Sequence, residues 1–201
     1  MLIDVEESQL VLVDFQPRLQ AAMHAAGEVW ANANRLAQAA QRLQVPVWGT
    51  EQNPSRLGAL DPGLSQFCRR VLAKMQFSAV EEGLAEWLQP EPVSAPRGNA
   101  RSLPRHLQRP QPEAAARKMI VLAGVEAHVC LLQTALDLIE EEFDVWVVTD
   151  ACTSRTERNR DAAYDRLAGA GAELVTTEMV LFEWLRTAEH PDFKSLQALI
   201  K

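Results

Sequence analysis

The sequence predicts an α/β fold in three layers, an open doubly wound and mostly parallel sheet (Rossmann-like) with helices on both faces. Two observations carry this. Short apolar runs rich in branched residues alternate with segments of helical periodicity from end to end, the pattern of repeated right-handed crossovers. The 201 residues are 47% hydrophobic and 23% charged, enough to enclose one sizeable core. Taken in order, QLVLVD (9–14) reads as a buried strand ending in an acid. Residues 28–44 follow as a helix, with Val29, Trp30, Ala33, Leu36, Ala37, Ala40 and Leu43 on one face. VPVWGT (45–50) is a second strand with Pro46 near its start, RRVLAK (69–74) a weaker third, and EEGLAEWL (81–88) a helix. MIVLAG (119–124) is the clearest strand. After it come a helix over 127–142, the strand DVWVVTD (144–150), a helix over 157–168 and the strand GAELVT (171–176). EMVLFEWL (178–185) and HPDFKSLQALI (190–200) predict two further helices, packed on the sheet or on another subunit.

The whole chain, 1–201, reads as a single domain with one interruption. Six of the eleven prolines fall between 90 and 112, with five arginines against two glutamates over 90–117, so about 90–116 is a Pro- and Arg-rich insertion. It is either a solvated excursion or a lid. A net charge of -7 gives no overall attraction to nucleic acid or an anionic membrane. No apolar run approaches a membrane span, and MLIDVEESQL lacks the order of a signal peptide, which makes the cytoplasm the expected location. Cys68, Cys130 and Cys152 have no CxxC spacing, and the four histidines have no HxxxH spacing, so neither a disulfide framework nor a metal site is expected. The absence of GxGxxG, of a P-loop and of GxSxG argues against a dinucleotide cofactor, phosphoryl transfer and a serine hydrolase.

Ligands of such folds bind at the carboxyl ends of the strands, and three reactive residues fall there. Asp14 ends the first strand, Lys74 ends the third, and Cys130 in GVEAHVC opens the helix after the fourth. A thiol in the first turn of a helix is expected to have a lowered pKa, further helped by a lysine, and a carboxylate can take or return its proton. Cys68 and Cys152 lack that combination and read as structural. His128 lies two residues from Cys130 and points to a different side of a helix; His24 has no evident partner.

The order LVLVDFQ (10–16), VPVWGTEQNPSRLG (45–58), LAKMQFS (72–78) and MIVLAGVEAHVCLLQTALDL (119–138) closely resembles the isochorismatase-like cysteine hydrolases. VVTDACTSR (147–155), GAELVTTE (171–178) and HPDFKSLQALIK (190–201) resemble the branch of isochorismatase domain-containing proteins. The resemblance spans nearly the whole chain apart from the insertion. It implies an Asp, Lys and Cys triad on Asp14, Lys74 and Cys130, and a cis peptide between Val125 and Glu126. It further implies an oxyanion site made by the amides of Glu126 and Cys130. Members with a metal hold it through a DxH pair after the second strand, where this chain has Glu51, Gln52 and Asn53. The resemblance therefore implies no metal and no cofactor.

The expected activity is cleavage of an amide or related acyl bond of a small molecule through a thioester on Cys130. Gln16, Asn53 and Phe77 are pocket candidates on loops at the same rim, and the expected assembly is a homo-oligomer. Two alternatives stay open at this point: a vinyl ether hydrolase that does not need the cysteine, and a binding or scaffolding module without enzymatic activity.

Overall fold

Among the described residues six strands form one sheet, and their order shows how the chain is wound. Along the chain the elements are β1 (Ser8–Val13), α1 (Pro17–Gln20), α2 (Ala26–Arg42), β2 (Val47–Gln52), α3 (Pro54–Leu57), α4 (Pro62–Ser65), β3 (Arg70–Lys74) and α5 (Leu84–Leu88). They continue with β4 (Met119–Gly124), α6 (Leu132–Glu140), β5 (Asp144–Cys152), α7 (Glu157–Gly169), β6 (Glu173–Val175), α8 (Thr177–Leu185) and α9 (Phe193–Gln197). The computed structural model describes residues 1–89 and 117–201, and the insertion expected at about 90–116 lies outside them. The order is β3-β2-β1-β4-β5-β6, with every neighbouring pair parallel. The chain winds outward from β1 to one edge, then restarts beside β1 at β4. The winding direction reverses between these two strands, which opens a crevice at their carboxyl ends.

The strands are continuous apolar runs because both faces of the sheet are covered. Leu10 and Leu12 of β1, with Met119, Val121 and Ala123 of β4, join one buried cluster. Their alternates Val11, Val13, Ile120 and Leu122 join the other, as the period of two requires. On the first face α2 contributes Val29, Trp30, Ala33, Leu36 and Ala37, and α8 contributes Val180, Leu181, Trp184 and Leu185. Phe15 meets the Trp30 ring edge to face, with centroids 4.8 Å apart. On the second face lie Leu84 and Leu88 of α5, Ala135 and Leu138 of α6, and Ala163 and Leu167 of α7. Helix starts follow their capping residues: Thr156 accepts from the Asn159 amide and Thr176 from the Met179 amide.

Three differences from the sequence expectations have local causes. The short helices α1, α3 and α4 each begin at a proline, whose fixed φ suits the first helical position; at four residues each, they carry no readable period. The helix expected over 127–142 opens instead as a π turn at Ala127–Leu131, with the Leu131 amide donating to the Glu126 carbonyl, before regular α6. The last strand and last helix are shorter than expected, at Glu173–Val175 and Phe193–Gln197.

Gly124 closes β4 where it passes β1. A Cβ there would lie 2.5 Å from both the carbonyl oxygen and the Cβ of Val13, which are backbone-fixed atoms that cannot swing away. Gly124→Ala is expected to destabilise the fold by about 1–3 kcal/mol, the usual cost of overpacking. Urea unfolding checks this, and an unchanged midpoint would contradict the close approach.

Candidate active site

The carboxyl ends of β1, β2, β3 and β4 meet around one buried ion pair. Asp14 follows β1 with φ 54, a left-handed conformation that Asp tolerates better than most residues. Its amide donates to the Thr50 carbonyl, and the Thr50 hydroxyl donates to Asp14 Oδ1 at 2.6 Å. Lys74 is the last residue of β3 and stands in register beside Gln52 of β2. Lys74 Nζ lies 2.8 Å from Asp14 Oδ2, both side chains being wholly shielded from solvent. The ammonium also donates to Gln52 Oε1 at 2.7 Å and to the Phe77 carbonyl at 3.0 Å, with a longer contact to the Gln76 carbonyl at 3.4 Å. A buried charge is tolerable only with this degree of pairing. Among the described residues Asp14 Oδ2 is taken up by the ammonium alone.

Cys130 sits in the π turn after β4 and is buried. Its Sγ is 3.8 Å from Gln52 Oε1, and it lies within electrostatic reach of both Asp14 and Lys74. The expectation of a lowered thiol pKa is overturned. Burial, reinforced by the Asp14 charge, pushes Cys130 up to about 12. The lysine acts in the opposite direction but is already balanced by Asp14, and its effect is outweighed. The resting sulfur is therefore a thiol, and any nucleophilic use of it requires a base.

A cis peptide joins Val125 to Glu126, as the family resemblance implies. Val125 is part of the core, while the Glu126 carboxylate takes a bidentate pair from Arg155, Nε to Oε2 and the terminal nitrogen to Oε1, both at 2.8 Å. Among the described residues the Glu126 N–H has no protein acceptor.

The pocket candidates fare unevenly. Gln16 is fully buried, and its amide bonds both the N–H and the carbonyl of Gln52 at 2.9 and 3.0 Å; it braces the end of β2. Asn53, with φ 40, donates its N–H to the Lys74 carbonyl and accepts from the Ser55 hydroxyl. Phe77 serves the lysine through its carbonyl, and its ring is 51% exposed. His128 Nδ1 pairs with the Ser154 hydroxyl at 2.9 Å, and His24 approaches Glu157. Cys152 is wholly buried and burial raises its pKa; Cys68 is half-buried and pushed up to about 12 by the same cause. Glu51 Oε2 accepts from the Leu60 amide, so that side chain is occupied in fastening a loop. Among the described residues no three His, Cys, Asp or Glu side chains gather as a metal site would need.

The sequence reading missed Thr50 and Gln52, both of which touch the ion pair. Their signal was present: two polar side chains at i and i+2 near the end of a strand face the same side, beside the residue that ends the next strand.

The model of the isochorismatase domain matches residues 110–179. Isochorismatase domain-containing protein 2 of Xenopus laevis is 36% identical over 193 residues, covering 96% of this chain and 83% of that protein. Among solved structures, the MAR1 ribonuclease of Caenorhabditis elegans superposes with a TM-score of 0.82 at 29% identity, covering 100% of this chain and 92% of that one. The YcaC gene product of Escherichia coli, an octameric hydrolase of unknown specificity, superposes with a TM-score of 0.75 at 25% identity, covering 98% and 95%.

The buried pair makes a thermodynamic prediction. Lys74→Met strands the Asp14 carboxylate without a counter-charge, which is expected to cost roughly 3–5 kcal/mol. The double variant Asp14→Asn with Lys74→Met removes both charges and should regain most of that loss. A double-mutant cycle by urea unfolding measures the coupling; additive losses would show that the two charges do not depend on each other.

Proposed function

Since the chain belongs to the isochorismatase family, we propose that it is a cysteine hydrolase that opens an amide or related acyl bond of a small molecule through a thioester on Cys130. The observation that carries this reading is the shielded ion pair of Asp14 and Lys74, joined through Gln52 Oε1 to the sulfur of Cys130.

In the proposed course the Cys130 S–H gives its proton to Asp14 Oδ2, and the thiolate forms beside the Lys74 ammonium. The buried group keeps a net charge of zero, because the negative charge moves from carboxylate to sulfur and no charge is created. The sulfur attacks the acyl carbon, and the carbonyl electron pair becomes an oxyanion held by the N–H groups of Glu126 and Cys130. As the C–N bond breaks, the leaving nitrogen takes the proton from Asp14. A water then attacks the thioester carbon, passing its proton to Asp14. Cleavage of the C–S bond releases the carboxylic acid, and the sulfur recovers the proton from Asp14.

A chain of net charge -7 offers RNA phosphates no overall attraction. That favours a small acyl compound over the nucleic acid cut by the C. elegans ribonuclease. Assembly into homo-oligomers is part of the same proposal. It is supported by the octameric E. coli relative and by Met179 and Phe182, large apolar side chains of α8 that are 44% and 39% exposed. Light scattering is expected to give a multiple of the chain mass at micromolar concentration; a stable monomer would contradict it.

Alkylation by iodoacetamide with peptide mapping tests the chemistry before a substrate is in hand. Cys130 is expected to label before Cys68 and Cys152, since it alone has a base and a cation at hand. Because transfer of the thiol proton to Asp14 leaves the protonation of the site unchanged, labelling by that route should vary little between about pH 7 and 9, whereas in Asp14→Asn, without the internal base, it should climb about tenfold per pH unit. Asp14→Asn is expected to slow labelling about tenfold or more by removing the base. Equal labelling of the three cysteines, or no effect of Asp14→Asn, would overturn the reading.

A further inference from the structure

Gln52 lies at the centre of the ion pair and thiol, and the proposed chemistry assigns it no step. Its side chain is held from several directions. Oε1 accepts from Lys74 Nζ at 2.7 Å, and Nε2 donates to the Met75 carbonyl at 2.8 Å. These two bonds fix which end of the amide faces the ammonium. The backbone on either side of the amide plane is clamped by Gln16. The same Oε1 also lies 3.8 Å from the resting Cys130 sulfur.

The need for a group of this kind follows from the proton movement. While Asp14 is ionised, Lys74 has an anionic partner. Once Asp14 has taken the thiol proton, that attraction is lost, and the ammonium must stay beside the sulfur to serve as counter-ion. The acceptors left are Gln52 Oε1 at 2.7 Å and the carbonyls of Phe77 and Gln76. Of these only Gln52 also contacts the sulfur. A neutral acceptor holds the lysine without neutralising it, whereas a carboxylate in the same place would compete with the thiolate for its charge.

We infer that Gln52 is a positioning residue of the thiol chemistry, its uncharged Oε1 anchoring Lys74 Nζ beside Cys130 Sγ so that the lysine charge passes to the thiolate when Asp14 is protonated. This rests on the cysteine hydrolase reading. Among the described residues the charged groups that act on Cys130 are Asp14 from the end of β1 and Lys74 from the end of β3. Glu82, which accepts from the amides of Met75 and Gln76, acts on the lysine from outside. Glu126 is taken up by Arg155.

The test is the rate of Cys130 alkylation by iodoacetamide against pH, in the full chain, with Cys68 as internal reference and circular dichroism as the check on folding. Gln52→Glu keeps the shape and an acceptor but adds a negative charge. It is expected to slow labelling about tenfold at pH 7, by drawing the lysine charge away from the thiolate. Gln52→Met removes the acceptor without adding charge, and is expected to slow labelling of Cys130 several-fold while leaving that of Cys68 unchanged. A Gln52→Met protein whose Cys130 labels at the wild-type rate, or whose Cys68 and Cys130 slow alike as a purely structural role would have it, overturns the inference. If Gln52→Glu fails to fold, Gln52→Met decides, a wild-type rate being the overturning result. Asp14→Asn, measured alongside, separates the two levels. If it slows labelling while neither Gln52 variant does, only the role of Gln52 is lost; if it has no effect, the hydrolase reading itself falls.

Discussion

The Lys74 to Asp14 ion pair, sealed from solvent on both sides, is the constraint around which this end of the molecule is arranged. Burying two charges in a medium of low dielectric costs several kcal/mol per ion unless every remaining donor and acceptor is engaged. The surrounding chain meets that demand with groups supplied by strand ends. Thr50 takes one carboxylate oxygen, Gln52 and the Phe77 carbonyl take the ammonium, and Gln16 fixes Gln52. Each of these lies at or just past the carboxyl end of a parallel strand. They can converge because adjacent parallel strands deliver their ends to the same rim of the sheet. The contact between Gly124 and Val13 belongs to the same arrangement, since it sets how closely β4 approaches β1.

The electrostatic state of Cys130 follows from that seal. A helix start and a nearby lysine are the usual means of lowering a thiol pKa. Here the lysine is balanced by a carboxylate, and desolvation prevails, so the sulfur rests protonated. The carboxylate that balances the lysine is also the base of the proposed chemistry. On that proposal, activation and resting stability depend on the same carboxylate, and the thiolate need exist only while the proton is on Asp14.

Much of this was legible in the sequence. β4 was readable to its last residue because a strand buried on both faces has no polar interruptions. Asp14, Lys74 and Cys130 stood out because each is a reactive residue at the end of a predicted strand or the start of a helix, and the family resemblance pointed to the same positions. Gln52 was less visible, since one amide at a strand end carries no chemical signature until the register places it beside Lys74. The π turn was unreadable, because Ala127 to Leu131 are residues any regular helix would accept. The raised thiol pKa was also beyond reach. It depends on how deeply neighbouring side chains are buried, which is a property of the packed structure and not of local spacing.

The segment after β3 has a further consequence. Its carbonyls at 75, 76 and 77 turn inward to Gln52 and Lys74, while the side chains of Met75 and Phe77 stand 64% and 51% exposed. The cradle for the charge is thus built from atoms common to every amino acid. Mutation at these positions can diversify the outer surface of the segment while the electrostatic machinery beneath is inherited unaltered. Such a division lets one ancestral framework acquire new recognition properties by drift on its outside, with no intermediate in which the buried charges lose their partners.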